Sequence, residues 1–442
     1  MTRRPAVPTR TWSGGHRWSP QQILTPRSEA EVLAGIAAAR AAGRPLRVVG
    51  GGHSFSPLAA TDGAAMSLDH YQGLVRADRA SGLVTLRGGT RLWEIADLLA
   101  PHGLALEVMG DIDRQSIAGA IQTGTHGTGA AFTGFAGMVR GLRLALPDGS
   151  IVETSPAEDP DLFEAARLGL GVIGVVLEVT LACVPRFRLV LTESTEDLDG
   201  TVRAFAARSR EEDHHEFFWF PRTSRATVRT AVRVPADTPV RRPGRAAELL
   251  QREVLSNGAW ELLCRAASAV PAASRPVAEV ASRVFAGSAV TDDSAAVFAA
   301  PRRVRFHESE WAIPAERFEE AFTALRRRLE EERVRVTFPL EIRRAAADDV
   351  WLSTASGRDT VYLAAHRYHR EDPGPYLLLV QRTLAPFAAR PHWGKRHWLG
   401  ARELAALYPR FEDFRAVRAA VDPEGLLLTP YLRHLLGVAP AA

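Results

Sequence analysis

One glycine pattern constrains the fold more than any other feature, because of the elements that surround it. Residues 169–174, GLGVIG, have the G-x-G-x-x-G spacing of dinucleotide-binding proteins. A Rossmann fold needs a strand before this pattern and a helix after it, so that the pyrophosphate meets the helix N-terminus. Here the helical segment DLFEAAR precedes the pattern and the β-branched segment GVVLEVTLACV follows it. The sequence therefore predicts a glycine-rich link between a helix and a strand, and excludes a Rossmann motif at this place.

The first 187 residues carry the signals of an α+β domain. Residues 26–44 have a helical pattern with Ser28 as the N-cap. A short strand, LRVVG, follows, and residues 82–103 have the pattern of a strand, a turn and a helix. Pro-Asp-Gly between two apolar runs in residues 141–154 indicates a hairpin.

The pattern changes at residue 188. A chain of 442 residues exceeds one ordinary hydrophobic core, so a second domain is expected. Residues 241–276 are rich in Ala and Arg and favour helix. The segments HESEWAIP and VRVTFPLEIRR favour strands separated by a helix, and helical patterns return near the end. We therefore divide the chain into domains at 1–187 and 188–400 and a C-terminal segment at 401–442.

The composition excludes several classes of protein. The formal charge is only +4, and arginines mix with acids, as in RRRLEEERVR, which indicates a solvated helix face rather than a nucleic-acid surface. No apolar run reaches about 18 residues, so no transmembrane segment is expected, and we see no export signal. Cys183 and Cys264 lie far apart and favour the thiols of a reducing cytosol. We expect a cytoplasmic protein, with peripheral attachment to a membrane left open.

Two further glycine-rich stretches carry the chemistry. VVGGGHSFSP, residues 48–57, follows a strand without a helix after it, and IAGAIQTGTHGTG, residues 117–129, adds hydroxyls and a histidine. Each stretch alone also fits a tight structural turn. Together the two loops fit a phosphate-bearing cofactor such as a flavin, since consecutive glycines let N–H groups converge on an anion. His53 in the first loop is either a structural hydrogen-bonding group or the attachment point of a covalent flavin.

Lys395 is the only lysine of the chain, among 55 lysine and arginine residues. It lies in RPHWGKRHWLG, residues 390–400. The guanidinium group of arginine is planar and stays charged, whereas the ammonium group of lysine is compact and its pKa can fall when it is buried. The residue is either a chance survivor at the surface, or a point charge or reversible proton that an active site needs.

Four motifs, in order and across nearly the whole chain, resemble those of the aldonolactone oxidoreductases: VVGGGHSFSPLAATDG, DRQSIAGAIQTGTHGTG, FPLEIR and RPHWGKRHW. This family includes gulonolactone, arabinonolactone and alditol oxidases, within the vanillyl-alcohol oxidase flavoprotein superfamily. The resemblance implies a two-domain α+β fold, with an FAD-binding domain of two α+β subdomains. It also implies a cap domain with an antiparallel sheet and flanking helices, and a C-terminal segment that returns to the FAD-binding domain.

The resemblance also implies where FAD is held. His53 matches the covalent attachment point of the family, and His392 of the HWGK motif matches a position beside the flavin. The other positions that match FAD-contacting residues are Val48, Val49, Gly50, Gly51, Gly52, Ser54, Ser116, Gly119, Thr123, Gly124, Thr125, His126 and Ile173. No metal site is expected.

Glu341 and Arg343 match the substrate-side Glu-x-Arg pair of the family. Residues i and i+2 of a strand point to one face, so the two side chains are either a surface ion pair or a catalytic pair. As a catalytic pair, Arg343 would stabilise negative charge on the reduced flavin or the substrate oxygen, and Glu341 would orient or deprotonate a sugar hydroxyl. Lys395 lies in the HWGK motif, and the resemblance therefore assigns it to the same active site.

Three further residues are assigned to the pocket. Asp111 stands where many family members have serine, and an added carboxylate there could shift specificity among lactones and polyols. Gly110 matches a position where dehydrogenases of the family can carry alanine, which hinders oxygen access. His366 either lines the pocket or belongs to the core.

We therefore expect an FAD-dependent oxidase of a gulono-, arabinono- or galactonolactone, with O2 as the acceptor and H2O2 as a product. For gulono- or arabinonolactone the organic product would be an ascorbate-type enediol lactone. The alternatives are an alditol oxidase acting on polyols such as xylitol or sorbitol, and a lactone dehydrogenase that uses a cytochrome or quinone. An alternative of another class is a non-catalytic flavin-binding protein. The oligomeric state is left open.

Overall fold

The computed structural model describes residues 7–244, 258, 260–270, 279, 289–300 and 303–439. Helices and sheets are both present, in two sheet-containing halves followed by a C-terminal group of helices. Among the described residues, no helix is long and apolar enough to cross a membrane.

A small parallel sheet carries the first glycine loop. Strands β1 (Gln22–Leu24), β2 (Leu46–Val48) and β3 (Ala64–Met66) lie in the order β1-β3-β2, and helix α1 (Glu29–Ala41) connects β1 to β2. Ser28 caps α1 as predicted, since its side chain accepts a hydrogen bond from the Glu31 amide at 3.3 Å. Because β2 ends at Val48, the chain passes from the sheet almost directly into the three glycines.

A five-stranded antiparallel sheet forms the rest of the first half. The elements, in chain order, are β4 (Leu74–Asp78), β5 (Leu83–Arg87), α2 (Leu92–Leu99), β6 (Leu104–Ala105), α3 (Ile117–Gln122), β7 (Val139–Ala145), β8 (Ile151–Thr154), α4 (Pro160–Arg167), β9 (Val175–Ala182) and β10 (Val184–Pro185). The sheet order is β4-β5-β9-β7-β8, and β6 pairs separately with β10. The predicted elements over 82–103 and the predicted hairpin are confirmed. GLGVIG links α4 to β9, which confirms that it is not a Rossmann motif.

The prediction of a loop over residues 117–129 is wrong for Ile117–Gln122, which form helix α3. Ser116 caps this helix by accepting a hydrogen bond from the Gly119 amide at 3.2 Å. Ile117 and Ile121 have no exposed surface, so the segment is helical because tertiary packing buries it.

An eight-stranded antiparallel sheet dominates the second half. The elements, in chain order, are β11 (Phe187–Asp197), α5 (Leu198–Glu211), β12 (His214–Trp219), β13 (Arg225–Pro235), α6 (Trp260–Ala269), β14 (Val290–Asp293), α7 (Ser294–Phe298), β15 (Phe306–Pro314), α8 (Phe318–Glu331), β16 (Leu340–Ala345), β17 (Thr360–Tyr368), α9 (Gly374–Leu384) and β18 (Arg390–Pro391). The strand order is β14-β11-β13-β12-β16-β17-β15-β18. The predicted antiparallel sheet with flanking helices is confirmed.

In this half, one predicted strand begins later than expected, and one predicted helical segment lies mostly outside the described residues. The segment VRVTFPLEIRR pairs as a strand only from Leu340. Pro339, just before it, has no amide hydrogen to donate to a ladder. The helical pattern predicted over residues 241–276 lies for the most part outside the described residues, with α6 inside them.

Three helices, α10 (Ala401–Leu407), α11 (Phe411–Val421) and α12 (Pro430–Leu436), end the described chain. Leu404, Phe414 and Leu432 belong to the same hydrophobic core as Leu46 of β2. The Leu46 amide also donates a hydrogen bond to the Leu426 carbonyl at 2.8 Å. The C-terminal helices therefore cover the half that carries the glycine loops, while the domain boundaries at 187 and 400 stay a prediction.

Candidate functional site

The backbone of the first glycine loop packs so closely against another segment of the protein that no side chain would fit between them. A Cβ on Gly51 would lie 2.5 Å from the Arg114 carbonyl oxygen, and Gly52 has a φ of +69°, which L side chains rarely adopt. Arg91 braces this contact, because it donates to the same Arg114 carbonyl at 2.9 Å and pairs with Asp69 at 2.5 Å. The backbone of the loop is therefore fixed by its surroundings.

The amides of this loop are available to a ligand. Within the described part of the chain, the backbone N–H groups of residues 50–54 donate no hydrogen bond. These residues line a cleft together with Ser116 and Gly119 at the start of α3. Successive unpaired amides around a glycine turn form a concave surface that binds anions. The cleft therefore fits a phosphate-bearing group.

His53 lies where this cleft meets a second cavity. Its Nδ1 is buried and has no hydrogen-bond partner among the described residues. Burial lowers the pKa of the imidazole to about 4, and the positive charges of Arg91, Arg114 and Lys395 add to the effect. The ring stacks on Trp12 at 5.8 Å. A neutral imidazole with an unpaired nitrogen is the form that attacks electrophiles.

The structure brings most of the predicted site residues into the two cavities, which share His53, Ser54, Gln115 and Thr123 in their walls. The cleft is also lined by the predicted residues Val48, Val49, Gly50, Gly51, Gly52, Ser116 and Gly119. The second cavity is lined by Gly110, Asp111, Thr125, His126, Glu341, Arg343, His366, His392 and Lys395. Gly124 and Ile173 line neither of them, and Ile173 is buried in the hydrophobic core.

Arg343 is surrounded by three carboxylates. It pairs with Glu341 on the same strand, with Asp111 at 3.3 Å and with Glu216 of β12 at 2.9 Å. Burial alone would lower the pKa of Arg343, but the carboxylates raise it well above its ordinary value. Glu341 and Arg343 are only 4 % and 8 % exposed, so the surface-pair interpretation is wrong.

Glu308 and Glu310 are residues of the cavity wall that the sequence reasoning missed. They lie on β15 in the segment HESEWAIP, and their i, i+2 spacing points both to one face, toward the cavity. The Nζ of Lys395 lies 2.6 Å from Glu308 and 3.8 Å from Glu310. The i, i+2 spacing of two charged residues in a strand could have identified them, because the same spacing identified Glu341 and Arg343.

Lys395 is a fixed cation in this cavity. Burial alone would lower the pKa of its amine, but Glu308 and Glu310 raise it above the ordinary value. Of the two alternatives for an active-site lysine, the raised pKa favours a point charge over a reversible proton. Lys395 is not a surface lysine retained by chance, because its side chain is 18 % exposed and lies between two buried carboxylates. A compact ammonium fits this position better than a planar fork would.

His126, Glu310 and His392 place ligand-type atoms within 4.8 Å of one another. The Nδ1 of His392 accepts a hydrogen bond from the Gly394 amide at 3.0 Å, so the ring hydrogen lies on Nε2, which then has no lone pair for a metal. Burial lowers the pKa of His392 to about 3, so the ring stays neutral. The ammonium of Lys395 beside Glu310 also opposes a second cation. The donor set does not fit a resident metal ion.

His366 lines the cavity, although it is only 3 % exposed. Its Nδ1 lies 2.9 Å from the Pro339 carbonyl and its Nε2 lies 3.6 Å from Glu308. Burial alone would lower the pKa of His366, but Glu308 and Glu341 raise it. The cavity thus combines fixed cations and ionised carboxylates with the neutral rings of His53 and His392, which suits a polyhydroxylated ligand beside a redox cofactor.

Two family models match the chain. One, described as D-arabinono-1,4-lactone oxidase, matches residues 179–435. The other, described as an FAD binding domain, matches residues 20–155. The first covers the eight-stranded sheet and the C-terminal helices, and the second covers both glycine loops.

Several proteins are similar over nearly their whole length. The L-gulono-1,4-lactone dehydrogenase of Mycobacterium tuberculosis is 37% identical over 96% of this chain and 98% of that protein. The L-gulonolactone oxidase of Mus musculus is 30% identical over 97% and 98%, and an alditol oxidase of a Streptomyces species is 31% identical over 96% and 98%. A cholesterol oxidase from B. sterolicum superposes with a TM-score of 0.82 over 99% of this chain and 100% of that one. At 16% identity that likeness shows the fold alone.

Proposed function

This chain belongs to the D-arabinono-1,4-lactone oxidase family, and we propose that it oxidises an alcohol carbon of an aldonolactone with FAD as the hydride acceptor. One observation carries the proposal: a row of unpaired amides leads, past His53, into a buried cavity lined by cations and carboxylates. The amides suit the phosphates of the cofactor. The charged cavity suits the hydroxyl groups of the substrate.

The residues of the cleft fit FAD, which when bound supplies the atom that accepts the hydride. The unpaired amides of residues 50–54, with Ser116 and Gly119, would hold its phosphates. We propose that His53 carries the cofactor through a covalent bond, because its imidazole is neutral and its buried Nδ1 has no other partner in the described chain. His392 would stand beside the ring system as a neutral hydrogen-bond donor.

The substrate hydroxyl must lose its proton while the carbon loses a hydride. Arg343 and Lys395 keep their protons, and the Nδ1 of His392 is already occupied by the Gly394 amide. A carboxylate is therefore the better proton acceptor. We assign this role to Glu341, whose neighbour Arg343 would hold the substrate oxygen.

Molecular oxygen is the proposed acceptor for the reduced enzyme, with hydrogen peroxide as the product. Gly110 supports this, because a Cβ at its position would lie 3.1 Å from the His126 carbonyl and 3.3 Å from the Thr125 methyl group, so glycine leaves that space open. A cytochrome or quinone is the alternative acceptor, favoured by the relative that is named a dehydrogenase.

An alditol oxidase is the second candidate. Asp111 favours it, because its carboxylate lies in the cavity, 3.3 Å from Arg343, and offers an extra acceptor to the hydroxyls of an open-chain polyol. The relative named alditol oxidase gives the same indication.

Anaerobic reduction of the purified protein by candidate substrates tests the proposal. We expect a yellow protein whose colour stays in the acid precipitate, and whose flavin is bleached by gulono-, arabinono- or galactonolactone, with peroxide formed once air is admitted. A preference for xylitol or sorbitol by two orders of magnitude in kcat/KM would replace the lactone by an alditol. Reduction of a cytochrome or dye without peroxide would make the enzyme a dehydrogenase. A flavin that none of these compounds bleaches would leave only a flavin-binding protein.

A further inference from the structure

Five side chains form a row along the wall of the cavity, in which two carboxylates alternate with an ammonium and two imidazoles: His366, Glu308, Lys395, Glu310 and His126. The Nε2 of His366 lies 3.6 Å from Glu308, which lies 2.6 Å from the Nζ of Lys395. That Nζ lies 3.8 Å from Glu310, which lies 3.2 Å from the Nε2 of His126. The two histidines and the two glutamates are each 5 % exposed or less. We call this series the charge row.

Hydrogen bonding decides which ring nitrogen of the two terminal histidines carries a hydrogen. The Nδ1 of His366 lies 2.9 Å from the Pro339 carbonyl, and the Nδ1 of His126 lies 2.9 Å from the Gly127 carbonyl. A carbonyl only accepts, so each Nδ1 carries a hydrogen. The Nε2 of His366 faces Glu308, and the carboxylates of Glu308 and Glu341 raise the pKa of this ring against the effect of burial. These carboxylates therefore favour the imidazolium form of His366.

The carboxylate beside His366 is ionised. Burial alone would raise the pKa of Glu308, but Lys395 and His366 lower it to about 2. Burial would also raise the pKa of Glu310, but His126 and Lys395 lower it well below its ordinary value. Each carboxylate thus lies between the ammonium of Lys395 and the ring of a histidine.

A second charged cluster borders the same cavity. Asp111, Glu216 and Glu341 surround Arg343, and Arg229 pairs with Glu216 at 2.8 Å and with Glu193 at 3.0 Å. In this cluster the four carboxylates outnumber the two guanidinium ions. The charge row adds Lys395 and the imidazolium of His366 to the wall of the cavity, next to Glu308 and Glu310.

We propose that Glu308 and Glu310 are positioning residues for hydride transfer: they fix Lys395 between them, and Glu308 keeps His366 as an imidazolium ion, so that two cations are held in the buried wall. This inference rests on the proposed function. Hydride transfer from the alcohol would leave negative charge on a bound flavin, while the alcohol proton would pass to a carboxylate beside Arg343. Cations held in a buried wall would stabilise that negative charge as it develops.

Isosteric amides test the two carboxylates. Glu308→Gln and Glu310→Gln each remove one of them, and Glu319→Gln is the control, because Glu319 lies exposed on α8. Two quantities are measured against pH on the FAD-loaded protein. One is kcat/KM for the lactone. The other is the affinity of the bound flavin for sulfite, which forms an anionic flavin adduct and requires no turnover.

The direction of the expected shift follows from His366, which faces Glu308 from β15 and Glu341 from β16. Because these carboxylates raise its pKa, its charge is present at low pH and is lost as the pH rises through that pKa. In Glu308→Gln we expect the alkaline limb of kcat/KM, and the loss of sulfite affinity, to move down by about one pH unit or more relative to wild type. Glu310→Gln leaves the carboxylate beside His366 in place and should move the limb less than Glu308→Gln does. Glu319→Gln should follow the wild type at every pH.

Two further variants separate this role from a general structural one. Glu308→Asp keeps the carboxylate, so the alkaline limb of its kcat/KM profile should lie close to that of the wild type. In a His366→Gln background, Glu308→Gln should produce no further shift, since the group that it tunes is gone. If Glu308→Gln lowers turnover equally at all pH values and leaves the pH dependence of sulfite affinity unchanged, the inference is overturned. If sulfite affinity shifts as expected while no lactone or alditol reduces the flavin, the charge row stands and the proposed function fails.

Discussion

Lys395→Met is the substitution whose consequence the structure defines best. Methionine is nearly as long as lysine, so Glu308 and Glu310 keep their places but lose the ammonium between them. At distances of 2.6 and 3.8 Å and an effective dielectric constant of about 20, the two attractions are worth about 6 and about 4 kcal/mol. The desolvation of three charges offsets much of this gain. Since breaking a buried pair typically destabilises by about 3–5 kcal/mol, we expect the free energy of unfolding to fall by that amount near pH 7.5.

The deficit should also depend on pH with a defined sign. In the wild type, Lys395 and His366 outweigh burial and hold the pKa of Glu308 at about 2. The stabilisation by this carboxylate is therefore complete above its ordinary pKa and is lost only as the pH falls below it. In Lys395→Met, burial is no longer opposed by the ammonium, so the pKa of the carboxyl group rises. Protonation then removes the uncompensated charge, and the deficit should shrink between pH 7.5 and pH 5.5.

Urea unfolding of the FAD-loaded protein, followed by tryptophan fluorescence at both pH values, measures this deficit. Arg327→Met is the matched control, because Arg327 is 76 % exposed and its pair with Glu331 is 3.7 Å long. A pair of that kind contributes little, so the control should unfold like the wild type. The reasoning is refuted if Lys395→Met is as stable as the wild type at pH 7.5, or if its deficit grows at pH 5.5.

Three further substitutions have expected outcomes. Gly110→Ala should slow reoxidation by O2 about tenfold, equal to about 1.4 kcal/mol, and leave dye-coupled turnover unchanged, because the new Cβ would lie 3.1 Å from the His126 carbonyl. Stopped-flow reoxidation measures this, and an unchanged oxygen rate argues against the gate. His53→Ala should bind FAD without a covalent bond, so acid precipitation should leave a yellow supernatant; a coloured pellet would place the attachment elsewhere. Asp111→Ser removes one of three carboxylates around Arg343 and should change the ratio of kcat/KM for lactone over xylitol about tenfold, whereas a constant ratio would show that Asp111 does not set specificity.

Local signals predicted most of the secondary structure. Ser28 caps α1, Pro-Asp-Gly closes the hairpin of β7 and β8, and the order of elements around GLGVIG excluded a Rossmann motif there. These signals depend on neighbours along the chain, so one sequence contains them. Helix α3 was missed because IAGAIQ has only six residues and no strong periodicity, and its helical state depends on burial of Ile117 and Ile121.

The candidate site divides in the same way. The motifs located His53, Glu341, Arg343 and Lys395, and the i, i+2 spacing put two of them on one face of β16. Their partners could not be located from the sequence. Glu308 and Glu310 reach Lys395 because β15 pairs with β18, whose end leads into the HWGK motif. That pairing joins segments far apart in the chain, and no local signal specifies it.

By itself, the sequence determined which residue types stand at each glycine turn and strand face, and therefore the cofactor class, the family and most of the secondary elements. Only the tertiary structure decided the charge states. Burial alone lowers the pKa of a lysine, yet Lys395 moves the other way because two carboxylates from another strand lie beside it. A charge state depends on what lies within a few ångströms, and those neighbours are set by long-range strand pairing.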